Sequence, residues 1–111
     1  MISYEFKESD RISTYLYAFI AGPYAVLESE HEHIKNYKYP LRLICRKSLC
    51  KYLEKDKEIF LGATKSAIDF YEKLFNTQFP FEKLDQAFVP NHPHEGMENV
   101  GLVMYKDTFV R

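Results

Sequence analysis

Phe60, Ala63, Thr64, Ala67, Ile68, Tyr71, Leu74 and Phe75 stand at i, i+3, i+4, i+7, i+8, i+11, i+14 and i+15. Only a helix brings such positions onto one face. The spacing predicts the main helix over 57–75, with Phe60, Ala67, Ile68, Tyr71, Leu74 and Phe75 buried. Lys65, Asp69, Glu72 and Lys73 fall on the outer face, where Asp69 and Lys73 form a favourable i, i+4 pair. Asp56 is placed to cap the start. Asn76 and Phe79-Pro80 end the helix. Gly62 costs ~1 kcal/mol against Ala in the first turns. On this reading Ile68→Ala and Leu74→Ala each cost ~2–5 kcal/mol.

Strand patterns flank the helix. Ser13–Ala21 is rich in Thr, Tyr, Phe and Ile and stops at Gly22-Pro23, which reads as a strand entering a turn. Tyr24–Glu28 reads as a short continuation, and His31–Tyr39, which has no periodicity, as a loop. Leu41–Arg46 sets Leu41, Leu43 and Cys45 against Arg42, Ile44 and Arg46, the alternation of a half-buried strand. Leu84–Val89 and Gly101–Tyr105 read as the last two strands, on either side of a 90–100 loop. Strands, one helix, then strands make an α+β arrangement.

The 111 residues are one domain's worth. A chain of this size buries roughly 65% of its extended surface when it closes its own core. Its stability is then ~5–15 kcal/mol, so the loss of one core element can unfold it. Net charge is −1 and the pI about 6.4, which gives no global attraction to nucleic acid or anionic membrane. The acidic run Glu28-Ser29-Glu30-His31-Glu32 reads as solvated surface, as does the basic stretch holding Arg42, Arg46, Lys47, Lys51, Lys55 and Lys57. No apolar run approaches the ~18 residues of a membrane span, and the first residues lack the apolar segment of a signal peptide. Cys45 and Cys50 are too few for a disulfide framework. They read as reduced thiols of a cytoplasmic or other reducing compartment.

The chemistry-bearing candidate is the tetrad Gly96-Met97-Glu98-Asn99, between a Pro-interrupted loop and an apolar strand. A carboxylate beside a Gly at a strand edge can hold the free amino end of an extended peptide while backbone groups pair with that peptide. His31-Glu32-His33 and His92-Pro93-His94 have the i, i+2 spacing of metal pairs. Pro93 breaks strand geometry, no partner at helical spacing completes a set, and all four read as surface-loop histidines. No Ser-His-Asp or Cys-His arrangement and no Gly-rich phosphate loop is apparent.

The tetrad resembles the Gly-Ala-Met-Glu-Asn loop of the zinc aminopeptidases related to aminopeptidase N and puromycin-sensitive aminopeptidase, which are gluzincin metallopeptidases. The resemblance covers nearly the whole chain. Ile12-Ser13-Thr14-Tyr15-Leu16, then Ala21-Gly22-Pro23-Tyr24, look like the closing strands of that family's N-terminal β domain. Pro40-Leu41-Arg42-Leu43 looks like the strand that leads out of it. Ala67–Phe75, with Phe79-Pro80-Phe81-Glu82-Lys83-Leu84-Asp85, looks like the first helix and strand of the thermolysin-like catalytic domain. The resemblance implies that residues 1–47 close one domain and residues 48–111 open the next, ahead of the zinc-binding helices.

It also implies roles. Glu98 binds the substrate's α-ammonium, Asn99 holds the loop shape, and Gly96 lets the peptide backbone come close. Met97 belongs to the same substrate-binding loop. Glu95 stands where the family has a small residue, and Val100 replaces its Trp or Ala. The family uses zinc, yet no His-Glu-x-x-His occurs in this chain. The expectation is therefore no metal or cofactor and no catalysis by this chain alone. Two functions follow. One is a partial zinc aminopeptidase chain acting on peptide N-termini. The other is a non-catalytic structural or interaction subunit, with protein partners covering exposed apolar surface. Neither reading involves nucleic acid or a membrane.

Overall fold

The computed structural model describes residues 1–32 and 37–110. Five strands form one sheet in the order β1-β2-β3-β5-β4, with a single long helix on one face. The strands are β1 (Tyr24–Glu32), β2 (Lys38–Arg46), β3 (Leu84–Val89), β4 (Gly96–Met97) and β5 (Leu102–Lys106). β1–β2 and β4–β5 pair antiparallel; β2–β3 and β3–β5 pair parallel. A parallel pair needs a long connection. Helix α1 (Cys50–Phe75) provides it between β2 and β3, and the 90–101 segment, which contains β4, provides it between β3 and β5.

Alternation along β2 builds two cores. Tyr39, Leu41, Leu43 and Cys45 face α1 and are at most 1% exposed, with Leu53, Leu61, Ile68 and Phe88 around them. On the opposite face Ile44 meets Ala87, Val89 and Leu102, with Ile20, Tyr24 and Met104 packed on the margin. Burial pushes the Cys45 thiol up to about 11, the neighbouring Cys50 adding to the shift. Burial also raises the Tyr39 phenol, more than Glu72 and Asp69 do. Both cysteines are free thiols.

The strand expected over Ser13–Ala21 is absent. A 3-10 turn at Thr14–Leu16 lies there, and the fifth strand of the sheet is Gly96–Met97. The aromatic residues of this stretch do not enter a core: Tyr15, Tyr17 and Phe19 are all exposed. β1 runs on to Glu32 and β2 starts at Lys38, so His31, Glu32, Lys38 and Tyr39 are strand residues rather than the expected loop. β1 places Glu28, Glu30 and Glu32 outward, as a charged edge strand should. His31 turns inward instead. It is 9% exposed, its Nε2 lies 2.8 Å from Asp69 Oδ1, and its ring meets the Tyr39 ring edge-on. That corrects the surface-loop assignment for His31; His33 lies outside the described residues.

Helix α1 begins about two turns before the predicted start, so Asp56 lies inside it and caps nothing. Asn76 closes it in the left-handed region, at φ 49° and ψ 42°. The buried side chains are Leu53, Leu61, Ile68 and Glu72. At 100° per residue this stripe is rotated roughly a fifth of a turn from the predicted one. Tyr71, Leu74 and Phe75 are 53%, 59% and 68% exposed. The face expected to be outer packs on β1: Lys65 Nζ donates to Ser29 Oγ, and Asp69 takes His31 rather than Lys73 as partner. Glu72 is buried because its Oε1 accepts the backbone N–H of Phe79 at 2.8 Å. Among the described residues no helix is long and apolar enough to cross a membrane.

These exposures separate two substitutions that the sequence pattern makes equal. Leu53→Ala or Ile68→Ala should cost ~2–5 kcal/mol. Leu74→Ala should stay within ~0.5 kcal/mol, because its side chain remains largely in water. Urea unfolding of the three variants measures the difference; equal losses would mean that the helix is rotated otherwise.

Candidate functional site

The segment between β3 and β5 starts with a turn. Asn91 takes a left-handed φ of 55°, and His92 and His94 follow. His92 Nδ1 lies 2.7 Å from the His94 carbonyl and 3.3 Å from the His94 N–H, so the pair closes a local turn. Among the described residues no cluster of three or more His, Cys, Asp or Glu side chains is placed to hold a metal ion. Glu95 is exposed, and its carbonyl accepts the Lys106 N–H at 3.3 Å.

β4 then pairs with β5, Gly96 opposite Tyr105 and Met97 opposite Met104, and leaves its outer side as the sheet's edge. A Cβ on Gly96 would come 3.3 Å from Tyr105 Cδ1, so this glycine makes room for a ring inside the molecule. The Tyr105 ring stacks on Phe88 at 5.4 Å, and burial raises its phenol. Its O–H donates to Gln86 Oε1, Gln86 Nε2 donates to Thr64 Oγ1, and Thr64 donates to the Phe60 carbonyl. The chain of donors fixes the ring against α1.

Glu98 follows at the end of the edge strand and is exposed, whereas Asn99 is 6% exposed. Asn99 Nδ2 donates to the Leu16 carbonyl at 3.4 Å, and the Val100 N–H donates to the same oxygen at 3.2 Å. The Leu102 N–H donates to the Asn99 carbonyl at 3.1 Å, around Gly101 at φ 65°. The tetrad is thus one continuous turn in which Glu98 projects from residues that are held on both sides.

Sequence reasoning passed over the groups beneath this turn. Asp85, on β3, is 6% exposed. Arg42 spans both its oxygens, with Nε to Oδ1 at 2.5 Å and Nη2 to Oδ2 at 3.1 Å. Lys83 Nζ lies 2.7 Å from Asp85 Oδ2 and 2.8 Å from the Gly101 carbonyl. Arg46 pairs with buried Asp107 at 2.6 Å. These two arginines are therefore structural ion-pair partners, not members of a solvated basic face. A charge on an otherwise apolar strand, Asp85 amid Leu84–Val89, is the signal that could have found the cluster.

A groove of about 580 Å³ runs between α1 and the sheet, past Ala67, Tyr71, Phe75, Phe79, Val103 and Tyr105. A second hollow continues it toward Phe60 and Phe109.

Residues 59–111 match the sequence model of the peptidase family M1 domain. Nearly the whole chain aligns with curated relatives. Aminopeptidase N of Streptomyces lividans is 36% identical over 107 residues, 96% of this chain. The mitochondrial aminopeptidase 2 of Saccharomyces cerevisiae is 33% identical over 101 residues, 91% of the chain. The chain belongs to the M1 peptidase family. It spans 12% and 10% of the length of those two relatives. The fold agrees: Legionella pneumophila aminopeptidase A, solved in complex with aspartic acid, superposes with a TM-score of 0.71 at 20% identity over 85% of this chain and 11% of that one.

Within this M1 segment Gly101 carries a specific cost. A Cβ there would meet the Lys83 carbonyl at an ordinary 3.5 Å, so the objection to a side chain is its φ of 65°. Gly101→Ala should cost ~1–2 kcal/mol. Gly101→Asn should cost less, since Asn tolerates the left-handed region. Thermal unfolding of both variants checks the order; a costlier Asn would make the constraint steric.

Proposed function

We propose that the Gly96–Asn99 turn is the part of a zinc aminopeptidase that anchors the free amino terminus of a peptide, with Glu98 binding the α-ammonium. The supporting observation is an exposed carboxylate at the end of an open-edged strand, in a chain of the M1 family. An extended peptide can add to such an edge through main-chain hydrogen bonds. A carboxylate opposite its ammonium then gives a charge-assisted hydrogen bond, and peptides that lack the charge are rejected. Zinc, which the family implies, finds no donor set among the described residues, so no step is assigned to it here.

The reading is tested by NMR titration with Leu-Gly-Gly and its N-acetylated form at pH 6.5, where the free α-amine is charged. The free peptide should bind about tenfold or more tightly than the acetylated one, the scale of one hydrogen bond to a charged group. Glu98→Gln should abolish that preference, and so should raising the pH above the amine's ~8. Equal binding of the two peptides by the unaltered chain would overturn the reading.

A second reading, a non-catalytic interaction module, is favoured by one observation. The apolar groove and the exposed Phe70, Leu74, Phe75 and Phe109 leave a large apolar surface uncovered. Sedimentation velocity over a concentration series tests it: self-association or capture in a stable complex supports the module. A cooperative monomer that never associates refutes it.

A further inference from the structure

We propose that Lys83 is a positioning residue for the anchoring turn, acting through the Gly101 carbonyl and held by the Asp85–Arg42 ion pair; the inference rests on the role proposed for Glu98. The geometry forms a continuous path. Arg42 and Asp85 stand opposite each other in the parallel register of β2 and β3. Arg42 engages both Asp85 oxygens, so the carboxylate is fixed in orientation as well as position. One Asp85 oxygen then holds Lys83 Nζ at 2.7 Å, and the same ammonium donates to the Gly101 carbonyl at 2.8 Å. That carbonyl also accepts the Asp85 N–H at 3.0 Å. Both lone pairs of the oxygen are therefore engaged from β3 and its approach.

Gly101 is three residues from Glu98. Its left-handed φ and the Leu102 N–H to Asn99 carbonyl bond make 99–102 a tight turn, so a shift of the Gly101 carbonyl moves Asn99 and with it Glu98. The turn's other tethers are weaker. Asn99 Nδ2 and the Val100 N–H reach the Leu16 carbonyl, at 3.4 and 3.2 Å, in a segment whose residues 13–15 are exposed. Among the described residues the Lys83 contact is the one that ties the turn by a charge to the buried centre of the sheet. An ion cluster of this kind is a poor source of net stability. Its fixed geometry suits it to orientation, because a binding group must be held by partners that are themselves locked.

The test compares Lys83→Met and Lys83→Arg with the unaltered chain in two measurements. Amide hydrogen exchange reads the turn without any ligand. The Leu102 and Val100 amides should exchange about tenfold faster in Lys83→Met, the scale of one hydrogen bond to a charged group. The amides of β2 and α1 should keep their rates. Titration with Leu-Gly-Gly and its acetylated form reads the function. Lys83→Met should lose most of the preference for the free amine, and Lys83→Arg should recover it. Unchanged turn amides together with an unchanged preference would overturn the positioning role and leave the Glu98 reading intact. Uniformly faster exchange throughout the chain would also overturn it, making Lys83 a general stabiliser. No preference in the unaltered chain would sink the Glu98 reading, and the positioning role with it.

Discussion

The parallel pairing of β2 with β3 is the constraint on which the rest depends. It cannot be closed by a tight turn, so the chain between the two strands must be long enough to cross the sheet, and α1 supplies that length. Once made, it buries β2 on both sides: Leu41, Leu43 and Cys45 under the helix, Ile44 against Ala87 and Val89. It also sets Arg42 opposite Asp85. Two charges at neighbouring positions in the middle of a sheet are costly unless they meet. The register that fills the apolar core is the register that brings them together.

That coincidence links the core to the turn that carries Glu98. The ion pair is not needed to specify the strands, since the apolar contacts on the helix side already do so. What it adds is a fixed carboxylate near the Gly101 carbonyl, with Lys83 between them. The anchoring role proposed for Glu98 requires its carboxylate to have one position. Here a short edge strand, a left-handed glycine and a charged contact act on the turn from different directions, while Glu98 stays in water.

How much of this was legible in the sequence follows from what kind of pattern each element leaves. Alternation is local, so β2, β3 and β5 were read with small errors at their ends. Helical period is also local, and α1 was recognised by type. Its orientation was not, because Phe60, Ala63, Ala67, Tyr71 and Leu74 are apolar yet lie toward an open groove or water, while Leu61 and Glu72 are covered. An apolar arc wider than the surface available to cover it cannot reveal its own centre. Ser13–Ala21 failed for a related reason: its β-branched and aromatic residues fit a strand, but the segment joins no strand of the sheet, and composition alone does not reveal whether a segment finds a partner. The tetrad stands out by its residue types alone, whereas Lys83 and Asp85 do not, since their contacts span 18 and 43 residues of sequence.

His31 shows the same limit from the side of chemistry. Two histidines spaced by one residue suggest a metal pair or a polar loop, and a sequence offers little to choose between them. In the folded chain, strand alternation turns His31 toward the helix, where Asp69 takes its Nε2 and Tyr39 takes its ring. With Lys65 on Ser29, this contact fastens the edge strand to the face of α1 that the sequence pattern assigns to solvent. Polar residues on both partners thus make a seam, and the apolar residues on the helix's other flank are left facing the groove. The helix is docked through its polar side along β1 and through Leu53, Leu61 and Ile68 over β2 and β3. What remains uncovered is the flank of Ala67, Tyr71 and Phe75, which faces Val103 and Tyr105 of β5 across the groove, and the Tyr105 ring is the one that the missing Cβ of Gly96 makes room for.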